Sequence, residues 1–175
     1  LTGNAGANVI DGGLGSDTMA GGDGNDIYIV NGSTDVVTET LTGGIDEVWA
    51  SASIALAANV ENARIVTANT ASVAGNALDN VIVSGAGNNV ISAGGGIDTV
   101  SYAQAASAVV VSLALTTAQA TGGSGSDTLA SVENLTLTGS TAINGTGNAL
   151  DNLLTGNSGK NVLTGGAGND TYVVG

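Results

Sequence analysis

The sequence predicts an all-β fold, a parallel β-roll or β-helix solenoid in which tight nonapeptide turns alternate with wider, less regular coils. The first observation is a nonapeptide whose clear copies are residues 12–20, 21–29 and 165–173. Each copy has a glycine-rich turn with an acid at its sixth position, followed by three residues that favour a strand. The second observation is that clusters of these nonapeptides recur 72 residues apart, which is eight nonapeptides, so the clusters share one phase. Self-similarity at a fixed short period is the signature of stacked repeats.

The turn chemistry explains why such a sequence must stack. Glycine tolerates positive φ, and Asn and Asp bond to their own backbone in turns. A strand of three residues cannot bury its apolar side chain alone, but stacked strands form a continuous apolar column. Two nonapeptides make one coil, so residues 18 apart stack at the strand spacing of about 4.8 Å.

The whole chain, residues 1–175, is predicted to be a single continuous solenoid built from the 72-residue unit. The unit occupies 3–74 and 75–146, with a partial copy at 147–175. Nonapeptide turns begin at Gly3, Gly12, Gly21, Gly75, Ser84, Ala93, Gly147, Gly156 and Gly165. Because both ends of the chain lie inside repeats, we expect it to be a fragment of a longer array.

The segments between the clusters are less regular. Residues 107–116 and 134–138 alternate in a way that predicts strands, which would form wider coils of the same solenoid. The Ala-rich stretches 51–58 and 102–108 leave short helices open as an alternative.

Composition excludes several classes of function. Hydrophobic residues make up 42% of the 175 residues, but aromatics make up 2% and Phe is absent, which predicts a thin aliphatic core. The net charge of −13, with Arg64 and Lys160 as the only basic residues, disfavours nucleic acid and anionic membranes as partners. No apolar run of transmembrane length occurs, so membrane insertion is not expected. His and Cys are absent, which excludes a Ser–His triad and a Cys nucleophile, and we predict no catalytic residue and no enzymatic activity.

The nonapeptides resemble those of the RTX, or haemolysin-type calcium-binding repeat, family. The resemblance implies that the acid at the sixth position binds Ca²⁺ together with the turn stacked 18 residues on, and that backbone carbonyls complete an oxygen cage. It therefore implies stacked ligand pairs at Asn8 with Asp26, Asp17 with Asp35, Asn80 with Asp98, and Asn152 with Asp170. Asp127 ends a good glycine-rich turn that is out of phase, and it is a further candidate, either as a ligand or as the cap of a separate loop.

The alternative for all these residues is that Asn and Asp simply form turns. Most of the pairs set an Asn against an Asp, and affinity follows ligand charge, so we expect a weak Kd of about 10⁻⁴–10⁻³ M. Asn89 and Asn161 are predicted to have no acid partner in phase. Glu61 and Glu133 could form a ladder or bind metal, but solvated side chains are the favoured interpretation.

The sequence therefore predicts a calcium-binding structural module of a secreted or surface bacterial protein, of the adhesin, surface-layer or extracellular filament type. It would fold on calcium binding after export, and the resemblance implies type I secretion. Calcium ions are the expected partners, with end-to-end or lateral self-association also allowed by open β edges. The alternative is a calcium-dependent accessory or secretion domain of a secreted lipase, protease or polysaccharide epimerase whose catalytic part lies outside these residues.

Overall fold

The computed structural model describes residues 1–139 and 142–175. Within these ranges the chain forms strands and no helix. In chain order the strands are β1 (Val9–Asp11), β2 (Thr18–Ala20), β3 (Ile27–Val30), β4 (Val36–Thr38), β5 (Glu47–Ala50), β6 (Ile54–Ala55), β7 (Asn62–Ile65), β8 (Ala71–Ala74), β9 (Val81–Val83), β10 (Asn89–Ser92), β11 (Thr99–Ser101), β12 (Val109–Ser112), β13 (Gln119–Gly122), β14 (Gly125–Ala130), β15 (Asn134–Thr136), β16 (Ile143–Thr146), β17 (Leu153–Thr155), β18 (Asn161–Thr164) and β19 (Thr171–Val173).

The strands line the faces of a β-solenoid of about nine turns. One face is a nine-stranded sheet in the order β1-β3-β5-β7-β9-β11-β15-β17-β19, in which neighbouring strands are parallel. The opposite face consists of an eight-stranded sheet, β18-β16-β12-β13-β14-β10-β8-β6, and a two-stranded sheet, β2-β4. The prediction of an all-β parallel solenoid is confirmed. The alternative of short helices at 51–58 and 102–108 is wrong, because these stretches form the short strand β6 and turns.

The apolar column predicted from the repeat lies along the inside of the nine-stranded sheet. In β1, β3 and β5 the inward residues Ile10, Tyr28 and Val48 are register partners and stack directly on one another. Their exposed fractions are 8%, 0% and 0%. The column continues through Ala63, Ile82, Val100, Leu135 and Leu154, each 0% exposed. Each short strand thus buries its central side chain only because neighbouring coils cover it.

A hairpin interrupts the regular alternation of faces. After β11 the chain makes β12, β13 and β14 in the same sheet, with β13 antiparallel to both neighbours. β14 then pairs parallel with β10, and β12 pairs parallel with β16. On the opposite face β11 pairs directly with β15. One face therefore contains two more strands than the other at this level.

No helix in the described ranges is long and apolar enough to cross a membrane.

Candidate metal centre

A column of acidic and amide side chains runs along one edge of the nine-stranded sheet. One such residue immediately precedes each strand, and because the strands are parallel these residues stack at the same edge. In chain order they are Asn8, Asp26, Asp46, Glu61, Asn80, Asp98, Glu133, Asn152 and Asp170. We call this set the acidic column.

Backbone hydrogen bonds link successive members of the acidic column. Asn8 N–H donates to Asp26 Oδ1 at 2.7 Å, and Asp26 N–H donates to Asp46 Oδ1 at 2.8 Å. Asp46 N–H in turn donates to Glu61 Oε2 at 2.8 Å. The same pattern recurs at Asn80 N–H to Asp98 Oδ1 (2.7 Å), Asp98 N–H to Glu133 Oε2 (2.8 Å) and Asn152 N–H to Asp170 Oδ1 (3.0 Å). Each carboxylate is therefore held by the coil before it.

Three members of the column differ from the sequence prediction. Solvated side chains were the favoured interpretation for Glu61 and Glu133, and this is wrong, because each is partly buried and accepts a backbone hydrogen bond within the column, as the alternative of a ladder had it. Asp46 is 0% exposed and was missed as a candidate. The signal that would have found it is its place two residues after a double glycine, Gly43–Gly44, and directly before a strand.

The predicted pair of Asp17 and Asp35 stacks on the opposite face of the solenoid, at the edge of the two-stranded sheet β2-β4. Asp17 N–H donates to Asp35 Oδ1 at 3.1 Å. Asn89 was expected to lack an acid partner, and this is wrong, because Asn89 N–H donates to Asp127 Oδ1 at 2.8 Å. The hairpin of β12 and β13 brings Asp127 into line with Asn89, although the two are 38 residues apart.

Four buried carboxylate oxygens in the described part of the chain accept no hydrogen bond. They are the Oδ2 atoms of Asp17, Asp26, Asp46 and Asp98. A buried carboxylate oxygen without a donor is costly, and a hard cation with oxygen ligands would remove that cost. The donor set therefore fits calcium at Asp17, Asp26 and Asp98, which are predicted ligands, and at Asp46.

Other predicted ligands already have hydrogen-bond partners. Both oxygens of Asp35 accept backbone N–H groups, from Asp17 on one side and from Asn31 and Gly32 on the other. Although burial raises the pKa of Asp35, these hydrogen bonds outweigh it and leave the pKa lowered. In Asp127, Oδ2 faces the hydroxyls of Ser84 and Thr121 at 3.3 and 3.4 Å. Burial raises the pKa of Asp127, against the opposing effect of its hydrogen bonds.

The predicted amide ligands are engaged in their own turns. Asn8 Oδ1 accepts Asn4 N–H at 2.8 Å. Asn80 Oδ1 and Asn152 Oδ1 accept the N–H of the residue four positions earlier, at 3.0 and 2.8 Å. These contacts support the turn-forming alternative for the three Asn residues, and their role as calcium ligands stays a prediction.

The electrostatics of the acidic column favour a bound cation. The pKa of Asp46 is raised to about 6, chiefly by burial and then by the charges of Glu39 and Glu61, against a hydrogen bond from Asp26 N–H. The pKa of Asp98 is also raised, first by burial and then by Glu133 and Asp79, although a hydrogen bond from Asn80 opposes the shift. Of the two basic side chains in the sequence, Arg64 pairs with Glu47 at 3.1 Å and Lys160 is exposed. Neither is hydrogen-bonded or ion-paired to the carboxylates of the column.

The first glycine of the nonapeptide keeps space beside the sixth-position carboxylate. A Cβ at Gly21 would lie 1.9 Å from Asp26 Oδ2, and a Cβ at Gly165 would lie 1.9 Å from Asp170 Oδ2. Only a residue without a side chain leaves this position open next to the carboxylate. The glycine spacing and the acid are thus two parts of one site.

A parallel β-solenoid with a carboxylate-bearing turn at successive coils defines a repeat protein built around cation-binding turns. The model of one family, the RTX calcium-binding nonapeptide repeat (4 copies), matches residues 1–37, 72–103 and 146–175, which is more than half of the chain. The chain belongs to this family, and the predicted resemblance and cofactor, Ca²⁺, are confirmed. No curated protein and no solved structure matches the chain.

Membership in the family supports a repeat module that binds calcium. Its β-solenoid is a structural fold that is generally non-catalytic, and proteins with these repeats are typically secreted by bacteria.

Proposed function

We propose that this chain is a calcium-stabilised structural segment of a secreted or surface bacterial protein, of the adhesin, surface-layer or filament type, and that it folds when it meets calcium outside the cell. The observation that carries the proposal is the set of buried carboxylate oxygens without donors at Asp17, Asp26, Asp46 and Asp98. The fold brings these charges together, and the chain supplies only two basic side chains to offset a net charge of −13.

The folding mechanism follows from this charge balance. Where calcium is scarce, repulsion between the stacked carboxylates opposes the compact state. Calcium supplies a hard positive charge with a preference for oxygen ligands. A ligand that binds the folded chain and not the unfolded chain stabilises it by mass action. A chain that stays unfolded inside the cell suits export, which is the basis for proposing the type I route.

Self-association is a second element of the proposal. Within the described residues, β1 and β19 each pair on one side only in the nine-stranded sheet. Such edges are templates for further coils or for another copy. Sedimentation velocity at several protein concentrations, with and without calcium, tests this: a single species that does not change with concentration would contradict it.

The test of the main proposal is far-UV circular dichroism during a calcium titration that starts in EDTA, with magnesium as the control cation. We expect β-structure and resistance to urea to rise with calcium at about 10⁻⁴–10⁻³ M and not with equal magnesium. Full structure in EDTA, with a urea midpoint that calcium does not move, would refute calcium-driven folding. An accessory domain of a secreted enzyme would give the same titration, and a catalytic domain in the flanking chain would distinguish it.

A further inference from the structure

A glutamate replaces glycine at one coil of the solenoid, next to the acidic column. β2 pairs with β4 with Ala20 opposite Thr38, so the following residues, Gly21 and Glu39, occupy equivalent places in successive coils. In the first of these coils a Cβ at Gly21 would lie 1.9 Å from Asp26 Oδ2. The Glu39 side chain therefore starts from a place where the preceding coil has room only for hydrogen.

The Glu39 carboxylate meets two members of the acidic column. Ligand atoms of Asp26, Glu39 and Asp46 all lie within 4.8 Å of one another. The three residues are 1%, 8% and 0% exposed. Three carboxylates at this distance repel strongly in a buried site, which a bound cation would reverse.

A separate observation shows that these carboxylates have capacity left for a ligand. Asp26 Oδ2 and Asp46 Oδ2 are buried and accept no hydrogen bond. Their Oδ1 atoms are each held by a backbone N–H, at 2.7 and 2.8 Å, so one oxygen of each is positioned and the other is unengaged. Backbone oxygens are also near: a Cβ at Gly43 would lie 2.5 Å from Glu39 Oε2 and 3.2 Å from the carbonyls of Gly22 and Thr40.

Tyr28 holds Glu39 in this position. The Tyr28 hydroxyl donates to Glu39 Oε1 and accepts Gly21 N–H at 2.6 Å, and its ring is 0% exposed. Glu39 Oε2 accepts Thr40 N–H at 3.0 Å. The glutamate is thus fixed at the site by the core of the adjacent coil, and it does not come from a nonapeptide acid position.

We propose that Asp26, Glu39 and Asp46 form a distinct calcium site with three carboxylates, which binds more tightly than the other turns of this chain and fills first. The inference rests on the proposed calcium-binding function. Affinity for calcium rises with ligand charge, and the other column pairs set an acid against an amide or against one further acid. Trivalent lanthanides, which share the preference for oxygen, are useful probes of the same site.

The test is a titration of the full chain with terbium and, in parallel, with calcium by isothermal titration calorimetry. Because Tyr28 contacts Glu39, we expect tyrosine-sensitised terbium emission in an early, tight phase. Glu39→Gln keeps an oxygen for the Tyr28 hydroxyl but removes the charge, and it should weaken the tight phase by about tenfold or more and leave the later phase unchanged. Glu47→Gln is the matched control, because Glu47 lies beside Asp46 in sequence but pairs with Arg64 on the outer face of β5. Its isotherm should equal that of the wild type.

A second variant separates position from charge. Tyr28→Phe should reduce sensitised emission while calorimetry still shows a tight phase, since all three carboxylates remain. If the wild type binds calcium but Glu39→Gln gives the same isotherm, this inference is overturned and the proposed function stands. If the wild type binds neither calcium nor terbium, the proposed function itself fails.

Discussion

Replacing Asp98 by asparagine should reduce the calcium dependence of stability without removing the fold. Asp98 is 1% exposed, and its Oδ1 accepts Asn80 N–H at 2.7 Å while its Oδ2 has no partner. Asparagine keeps an oxygen for the Asn80 hydrogen bond and removes the buried charge. In EDTA the variant should therefore be at least as stable as the wild type, because an unpaired buried carboxylate has been removed.

The magnitude follows from linkage. Once calcium exceeds the Kd of a site, each bound ion adds about 1.4 kcal/mol to the free energy of unfolding per tenfold rise in calcium. If Asp98 belongs to one site, the slope of this free energy against the logarithm of calcium concentration should fall by about 1.4 kcal/mol per decade.

The assay is urea unfolding followed by far-UV circular dichroism, at several calcium concentrations between about 1 and 100 mM. Asp79→Asn is the matched control, since Asp79 carries the same charge in the turn one coil earlier but is exposed, and its Oδ1 accepts Ile97 N–H at 2.7 Å. The control should keep the wild-type slope. An Asp98→Asn slope equal to that of the wild type, or an equal loss of stability in EDTA and in calcium, would refute the reasoning.

Three further perturbations test the fold and its charges. Gly13→Ala should destabilise the chain by about 1–2 kcal/mol, because Gly13 has positive φ, and Gly94→Ala should destabilise it by more. Gly94 also has positive φ, but a Cβ there would lie 2.2 Å from a carbonyl oxygen, whereas at Gly13 nothing lies within 4 Å. Equal urea midpoints for the two variants would contradict this. Asp127→Ala should lower the free energy of unfolding by about 1–3 kcal/mol, because it leaves Asn89 N–H without an acceptor. If the size of this loss depended on calcium concentration, Asp127 would instead be a calcium ligand. Because the pKa of Asp46 in the folded chain is about 6, above its usual value, the folded chain binds this proton more tightly than the unfolded chain. The free energy of unfolding in EDTA should therefore fall as pH rises through about 6. In urea titrations, saturating calcium should flatten this pH dependence. A free energy of unfolding that rises with pH in EDTA would contradict the prediction.

Much of the site could be predicted from the repeat, and the two neighbouring residues that were missed, Asp46 and Glu61, have a common physical cause. Asp26 and Asp98 were predicted because they keep the nonapeptide phase and stack 18 residues after their partners. Asp46 follows Asp26 by 20 residues, and Glu61 follows Asp46 by 15. One coil is longer and the next is shorter than the regular 18 residues. The strand register that restores the stacking depends on neighbouring coils, which periodicity alone does not contain.

The Asn89 and Asp127 contact shows the same limit at longer range. A spacing of 38 residues appears out of phase in the sequence, and it becomes a stack only when β12 and β13 fold as a hairpin within one sheet. Glu39 was missed for a different reason. It lies outside every nonapeptide, and it reaches the acidic column only because it occupies a position where the preceding coil has glycine.

The hairpin between β11 and β14 has a consequence for engineering. It adds chain on one face only, and Glu133 still reaches its place after Asp98 in the acidic column, 35 residues later. The solenoid can therefore accept extra length at this edge without changing the order of its cation-binding turns. The turn that follows β12 (Val109–Ser112) is a natural point for grafting a foreign peptide, because the inserted residues would be displayed beside the solenoid while the stacking order of its coils stayed the same.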